Sequence, residues 1–373
     1  MNRVAFEYWM PTKIHYGEHS LEHLKDEIQG NNIFILISRT LYKNGTAENI
    51  KKILCGKEVT FFYEIEPDPS TNCVNKAVER ARNVKATTIV GIGGGSCLDV
   101  SKAVACLANK EGSIEDYISG KVFEKRETKL ILIPTTAGTG SEVTSVGVYT
   151  DSNKGVKKPL VNSQFYADVA IIDPVLTYTT PPKVTANTGM DAFAHALESY
   201  WNANSNPISD ALAMNAMNLI LNNIEKAYIE PDNKAARQNM MLASLLAGLA
   251  FTQTRTTGSH VLSYPISAMF HCTHGEACAV TLPAFIRISH ELASNKMMKL
   301  EFQLNYQNEH EFAVAIEKLL DKINMPNKLS QLGVHKDDIE KIANDAMNYK
   351  NQLDLTPASM DVDSLKKLMY SIL

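Results

Sequence analysis

The stretch Thr87-Thr-Ile-Val-Gly-Ile-Gly-Gly-Gly-Ser-Cys-Leu-Asp-Val-Ser-Lys102 begins as a short β-branched strand. It passes through three consecutive glycines and continues at 98–107 with helical spacing. Glycines at such a turn let the backbone approach a phosphate. The helix start behind them offers free N–H groups and a positive dipole end. The spacing is neither GxGxxG nor a P-loop, so a tight strand-to-helix turn with no ligand is the alternative reading.

Working outward, similar apolar runs stand at Asn32-Ile-Phe-Ile-Leu-Ile37, Val59-Thr-Phe-Phe-Tyr63, Leu130-Ile-Leu-Ile133 and Val169-Ala-Ile-Ile172. Amphipathic segments such as 72–85 separate several of them. Strands alternating with helices predict βαβ units and a parallel sheet. After Pro182 strand signals fade, and helical spacing dominates at 189–201, 209–228, 235–251, 277–294, 311–323, 336–347 and 363–372. The expectation is an α/β nucleotide-binding domain with a parallel sheet over 1–178 and an all-α helical domain over 179–373, packed around a cleft.

Composition sets the outer bounds. At about 150 residues per domain, 373 residues suit two domains. A hydrophobic share of 45% and a charged share of 21% describe an ordinary globular chain. The net charge of −4 leaves no basic excess for a phosphate backbone, so nucleic acid is not an expected partner. The N-terminus lacks the apolar core of a secretory signal. The apolar centre of the segment between Arg237 and Arg255 is too short to span a bilayer. None of the six cysteines forms a CxxC pair, which suits reduced thiols in the cytoplasm.

Two further segments carry chemistry. Pro134-Thr-Thr-Ala-Gly-Thr-Gly-Ser-Glu-Val-Thr144 is a hydroxyl-rich turn after a strand. It suits hydrogen bonding to a nucleotide, or equally a capped helix start. Asp191-Ala-Phe-Ala-His195 puts a carboxylate and an imidazole about 40° apart on one helix face, with Glu198 following on that face. His260 and His274 come later beside Gly258 and Gly275. One oxygen and three imidazole nitrogens suit Fe(II) or Zn(II). The alternative is a surface or capping pair, because spacing alone does not tie the two later histidines to Asp191.

Taken together, these segments resemble the iron-dependent (group III) alcohol dehydrogenase family. The likeness is carried by Gly93-Gly-Gly-Ser96 with Asp99 and Lys102, by the 134–142 turn, and by Ile171-Ile-Asp-Pro174. Thr188-Gly-Met-Asp-Ala-Phe-Ala-His-Ala-Leu-Glu198, His260 and His274-Gly275 complete it. The resemblance implies the dehydroquinate synthase-like two-domain fold with the active site between domains. It implies metal ligation by Asp191, His195, His260 and His274, with Fe(II) or alternatively Zn(II). Gly94, Gly95 and Ser96 would contact the pyrophosphate of NAD or NADP, with Asp99 in the same motif. Thr135, Thr136 and Thr139 would line the nucleotide site. Hydride transfer between nicotinamide and a small aldehyde or alcohol follows, in a dimer or larger assembly. A dehydroquinate synthase-like lyase on the same plan fits the Asp191/His195 pair and the 134–144 turn less well.

Three departures from the family pattern stand out. Where many members carry an acid at the end of the first nucleotide strand, this chain has Ser38 followed by Arg39. That exchange favours a 2′-phosphate and hence NADPH, unless Arg39 only solvates a loop. Tyr264 replaces a histidine four residues after the third ligand position. A tyrosine donates a hydrogen bond but is a poor base near neutral pH, so solvent, the ribose hydroxyls, His271 or Tyr264 itself are the candidate routes for the proton, unless His271 is only a surface imidazole. Finally, Arg255-Thr-Thr-Gly-Ser-His260 places a guanidinium and two hydroxyls ahead of a ligand position, where an anionic head group would suit them. The pattern resembles the phosphonoacetaldehyde reductase branch, which makes 2-hydroxyethylphosphonate. A structural ion pair between Arg255 and a carboxylate such as Glu276 is the alternative. Lys157 and Lys158 read as an assisting pair or a solvated turn.

Overall fold

The computed structural model describes residues 5–357 and 360–373. Eight strands occur among them: β1 Lys13–Tyr16, β2 Asn32–Ile37, β3 Glu58–Phe62, β4 Thr88–Gly93, β5 Lys129–Pro134, β6 Val146–Asp151, β7 Val156–Val161 and β8 Val169–Ile172. Six form a parallel sheet in the order β1-β8-β5-β4-β2-β3, and β6 pairs antiparallel with β7.

The continuous apolar runs follow from this placement. Phe34, Leu36, Ile89, Leu130 and Leu132 face a cluster with Val74, Val78, Leu98 and Val104 from the helices Thr71–Asn83 and Gly95–Leu107. Ile33, Ile35, Ile37, Val90, Ile92 and Ile131 face another with Leu24, Leu41 and Ile50. A strand buried on both faces has no polar face, so its sequence does not alternate.

The register pairs Ile37 with Ile92 and Gly93 with Pro134. Ser38, Gly94 and Thr135 therefore stand side by side beyond the carboxyl ends of β2, β4 and β5. Chain order reverses direction between β2 and β4, which is where open α/β sheets bind ligands.

By its internal contacts the chain forms two compact units: Met10–Thr136 with Gly140–Tyr178, and Thr179–Leu373 with Ala137–Thr139 and a short N-terminal stretch. In the helical unit, Pro182–Trp201 is buried nearly all round from Gly189 onward, as a central helix must be. Pro207–Ile229 and Lys234–Thr254 pack on it. The helix expected over 277–294 is divided into His274–Ala279 and Leu282–Leu292, with Pro283 in the first turn of the second. The region from Gly258 to Phe270, which is not among the helical stretches read from the sequence, is a helix with Pro265 inside it. Among the described residues no helix is long and apolar enough to cross a membrane.

Candidate active site

Three helices of the helical unit deliver the Asp/His residues. Asp191 and His195 lie one turn apart on Pro182–Trp201, His260 opens Gly258–Phe270, and His274 opens His274–Ala279. Asp191, His195 and His260 are buried. Asp191 Oδ1 stands 3.6 Å from His260 Nε2 and 3.6 Å from His274 Nε2, beyond hydrogen-bond length. Among the described residues Asp191 Oδ1, His195 Nδ1 and His260 Nε2 have no hydrogen-bond partner. Buried polar atoms are almost always satisfied. A divalent cation satisfies several such donors at once, and a carboxylate with imidazoles is the donor chemistry of Fe(II) or Zn(II).

Burial would raise the Asp191 carboxyl, but His195, His274 and His260 outweigh it and hold it well below the usual carboxylate range. His195 is pulled down to about 4 by burial, its ring stacked between Phe251 at 4.2 Å and His260 at 4.5 Å. His260, which burial would lower, is instead raised to about 9 by Glu198 and Asp191.

Two residues with no role in the sequence reading join the cluster. Glu198 accepts from His260 Nδ1 at 2.6 Å, so Nε2 is the nitrogen left facing the cluster. The Cys278 sulfur belongs to a set with one ligand atom each from Asp191, His260 and His274, all within 4.8 Å of one another. His195 is outside that set. The i, i+4 spacing of His274 and Cys278 was the available signal, but it needed the helix start at His274.

The other expected residues are distributed as follows. Tyr264 is half-buried, with its ring parallel to that of His274 at 6.4 Å between centroids. Burial pushes its phenol above the ordinary range, so it stays protonated. His271 ends the same helix in the left-handed region (φ 53°) and is exposed; among the described residues its ring makes no hydrogen bond to the cluster. Arg255 is exposed at φ 72° and makes no ion pair among the described residues. Glu276 bonds Thr273 and pairs with Lys183 at 3.8 Å, so the Arg255–Glu276 bridge is not formed. The two hydroxyls beside Arg255 do not gather with it. Thr256 accepts from Gln352, and the buried Thr257 accepts from the Trp201 indole at 2.9 Å. Of the expected trio, only the guanidinium is unengaged. Lys157 pairs with Asp68 at 2.8 Å, and Lys158 is exposed on β7.

In the α/β unit, Gly94 leads into Gly95–Leu107 with no side chain capping that helix. Gly94, Gly95 and Ser96 are half-buried. A Cβ on Gly94 would meet only Thr136, at 3.4 Å and beyond, so the turn is open to a ligand. Thr135 is buried and Thr136 half-buried beside it; Thr139 belongs to the other unit. Ser38 caps Arg39–Lys43, and Arg39 is exposed. Asp99, expected with the cofactor residues, is half-buried and its carboxylate has partners within the unit. Its carboxylate takes Ser141 Oγ at 2.7 Å and Val148 N at 2.9 Å, with Lys102 at 3.7 Å. Those bonds fasten the turn from within.

Sequence comparison places this geometry among known proteins. The sequence model described as "Iron-containing alcohol dehydrogenase" matches residues 11–174, and "Fe-containing alcohol dehydrogenase family, C-terminal" matches 185–373. Long-chain-alcohol dehydrogenase 1 of Geobacillus thermodenitrificans is 35% identical over 375 residues, covering 95% of this chain and 92% of the relative. Sulfoacetaldehyde reductase of Bilophila wadsworthia is 32% identical over 381 residues, covering 98% of each. The crystal structure of sulfoacetaldehyde reductase from Bifidobacterium kashiwanohense in complex with NAD+ superposes with a TM-score of 0.95 at 33% identity, covering 99% of both chains.

Proposed function

Because the chain belongs to the iron-containing alcohol dehydrogenase family, we propose that it is a metal-dependent, NAD(P)H-linked reductase of small aldehydes carrying an anionic head group. The substrate assigned is phosphonoacetaldehyde, reduced to 2-hydroxyethylphosphonate. The observation that carries the chemistry is the convergence of the partnerless Asp191 Oδ1 and His260 Nε2 beside His274. Asp191, His195, His260 and His274 are assigned to hold the ion. Gly94, Gly95 and Ser96 are assigned to the pyrophosphate, and Thr135, Thr136 and Thr139 to the rest of the nucleotide. Ser38 and the exposed Arg39 carry no acid to repel a 2′-phosphate, which favours NADPH.

When bound, the ion supplies Lewis-acid polarisation of the carbonyl and the nicotinamide supplies hydride. Glu198 keeps His260 turned with Nε2 inward. Tyr264, kept protonated by burial, is assigned as hydrogen-bond donor to the substrate oxygen, with the exposed His271 as the alternative route for the proton. A dimer or larger assembly and a cytoplasmic setting belong to the same proposal.

The head group is assigned to Arg255, an exposed guanidinium without an ion pair among the described residues. Two relatives named for sulfoacetaldehyde, another two-carbon anionic aldehyde, support that substrate class. The engagement of Thr256 and Thr257 inside the fold favours a second reading, a general short-chain alcohol or diol dehydrogenase. The two are separated by NADPH oxidation with Fe(II)-loaded protein on phosphonoacetaldehyde, sulfoacetaldehyde and propionaldehyde. The expected result is a preference for the phosphonate that falls at least tenfold in kcat/KM in Arg255→Ala, the loss of about one charge-assisted contact. Equal use of propionaldehyde, with Arg255→Ala indifferent, would establish the second reading instead.

A further inference from the structure

Arg255 follows the helix Lys234–Thr254 with φ 72° and ψ 178°. In that region a Cβ crowds its own backbone, so the conformation belongs almost wholly to glycine and strains any other residue. The main chain is fastened there on both sides. Arg255 N donates to the Phe251 carbonyl at 2.7 Å, and the Arg255 carbonyl accepts from Asn202 Nδ2 at 3.1 Å. The Thr256 hydroxyl accepts from Gln352 Nε2. Thr257 gives its N–H to Glu198 at 2.9 Å and accepts from the Trp201 indole at 2.9 Å. Asn202, Thr256 and Thr257 are buried. A strained residue persists where its surroundings over-determine it in this way. None of these bonds uses the Arg255 side chain, which is exposed and forms no ion pair among the described residues. For the fold alone, glycine would suit position 255 better, because it removes the strain and gives up none of these bonds. What the arginine supplies therefore lies outside the chain, and a guanidinium suits an anion.

We propose that this strained turn is a specificity device, in which Asn202 and Gln352 are positioning residues that aim the Arg255 guanidinium at the anionic group of the substrate. The inference rests on the assignment of the head group to Arg255 above. A backbone clamped on both sides fixes the direction in which the side chain leaves it, so less freedom is lost when the anion binds. The clamp also ties that direction to the Asp/His cluster. Glu198 takes both Thr257 N and His260 Nδ1, at 2.9 and 2.6 Å, so the turn and the third ligand position share one carboxylate.

Two measurements on the whole chain test this. The first compares the melting temperatures of Arg255→Gly and Arg255→Ala. Alanine keeps the Cβ that crowds the backbone and glycine removes it, so the glycine variant should melt higher by about 2 °C or more. At an ordinary position the glycine variant melts lower, because its unfolded chain has more freedom to lose; that order would overturn the strain. The second measurement is kcat/KM of Gln352→Met, Fe(II)-loaded, on phosphonoacetaldehyde and propionaldehyde. Methionine keeps the length of the side chain and drops the donor. Gln352 also hydrogen-bonds the Tyr264 phenol, so only the ratio of the two substrates is read. That ratio should fall about threefold to tenfold, chiefly through KM for the phosphonate. If Gln352→Met does not fold, Asn202→Ser removes the other donor and should lower the same ratio. An unchanged ratio makes the clamp a support of the fold alone and overturns the proposal, while loss of preference in Arg255→Ala leaves the head-group assignment standing. No anionic preference in the unaltered chain overturns both.

Discussion

Glu198 has no exposed surface, yet its two oxygens take four donors: Thr257 N at 2.9 Å, Ser259 N at 2.6 Å, His260 N at 3.3 Å and His260 Nδ1 at 2.6 Å. One carboxylate thus satisfies the open N–H groups at the start of Gly258–Phe270 and fixes the ring of the histidine that the helix carries. The donors and the neighbouring His260 hold its pKa below the usual range against the raising effect of burial. Glu198→Gln keeps the shape but places an amide N–H₂ against donors that need an acceptor. The expected result is a tenfold to hundredfold loss of metal affinity, with unfolding free energy lower by about 2 kcal/mol. Metal titration and urea unfolding check both, and unchanged metal affinity would remove Glu198 from the site. The sequence shows Glu198 on the face of Asp191 and His195, because one helix's geometry is local. It does not show the bonds, since the partners lie 59 to 62 residues away. Cys278 is hidden for a related reason. Without the helix start at Thr273 and His274, its distance from His274 is only a number along the chain.

At the scale of elements, the cluster depends on how closely His274–Ala279 approaches Pro182–Trp201. A Cβ on Gly275 would stand 2.1 Å from the carbonyl oxygen of Asn187, and backbone there has no flexible end to move aside. Gly275→Ala must push the two elements apart, and each carries assigned ligands. The expected cost is about 1–3 kcal/mol, as for other overpacked contacts, together with weaker metal binding. A variant with wild-type melting temperature and metal affinity would contradict this. The elements that the sequence reveals and those it hides divide on physical grounds. β2, β4, β5 and β8 are legible as unbroken apolar runs because both faces are buried. β1 has only four residues at the sheet edge, and β7 contains Lys157-Lys-Pro159, which reads as a turn. Pro265 conceals the Gly258–Phe270 helix, since proline removes one backbone bond and normally ends a helix. Here that helix survives because its apolar face is packed: Val261, Leu262 and Ile266 are fully buried.

Across the whole molecule, a net charge of −4 offers no long-range attraction to an anionic substrate, so recognition of a head group has to be local. The same chain buries charge in both units. The helical unit holds the Asp/His cluster, and the α/β unit holds Lys102 and Glu142, both essentially without exposed surface. Lys102 Nζ donates to Ser141 Oγ at 2.7 Å, Thr144 Oγ1 at 3.1 Å and the Val146 carbonyl at 2.6 Å. It thereby ties the Gly95–Leu107 helix to the turn behind Thr135 and Thr136 and to β6. Burial lowers Lys102 to about 8 from 10.5 and raises Glu142 to about 7 from 4.5. Between pH 4.5 and 7 the native Glu142 holds a proton that the unfolded chain has lost. Its contribution is complete below the lower value and disappears as pH rises through the upper one. Between pH 8 and 10.5 the unfolded Lys102 holds a proton that the native one has lost, so there stability rises with pH. Each slope is worth on the order of 3 kcal/mol, and together they place this pair's least favourable contribution between pH 7 and 8. Glu142→Gln keeps the side-chain shape and removes the charge. The variant should match the unaltered chain near pH 4.5 and gain on it progressively up to pH 7.5, as read from paired urea unfolding curves. Titrations of groups that Glu142 does not touch cancel in that difference, whereas Lys102, which the Glu142 charge helps to keep protonated, moves with it. If the gap between the two proteins is the same at both pH values, Glu142 is not held protonated by burial, and the turn at 134–144 carries its charge at no cost.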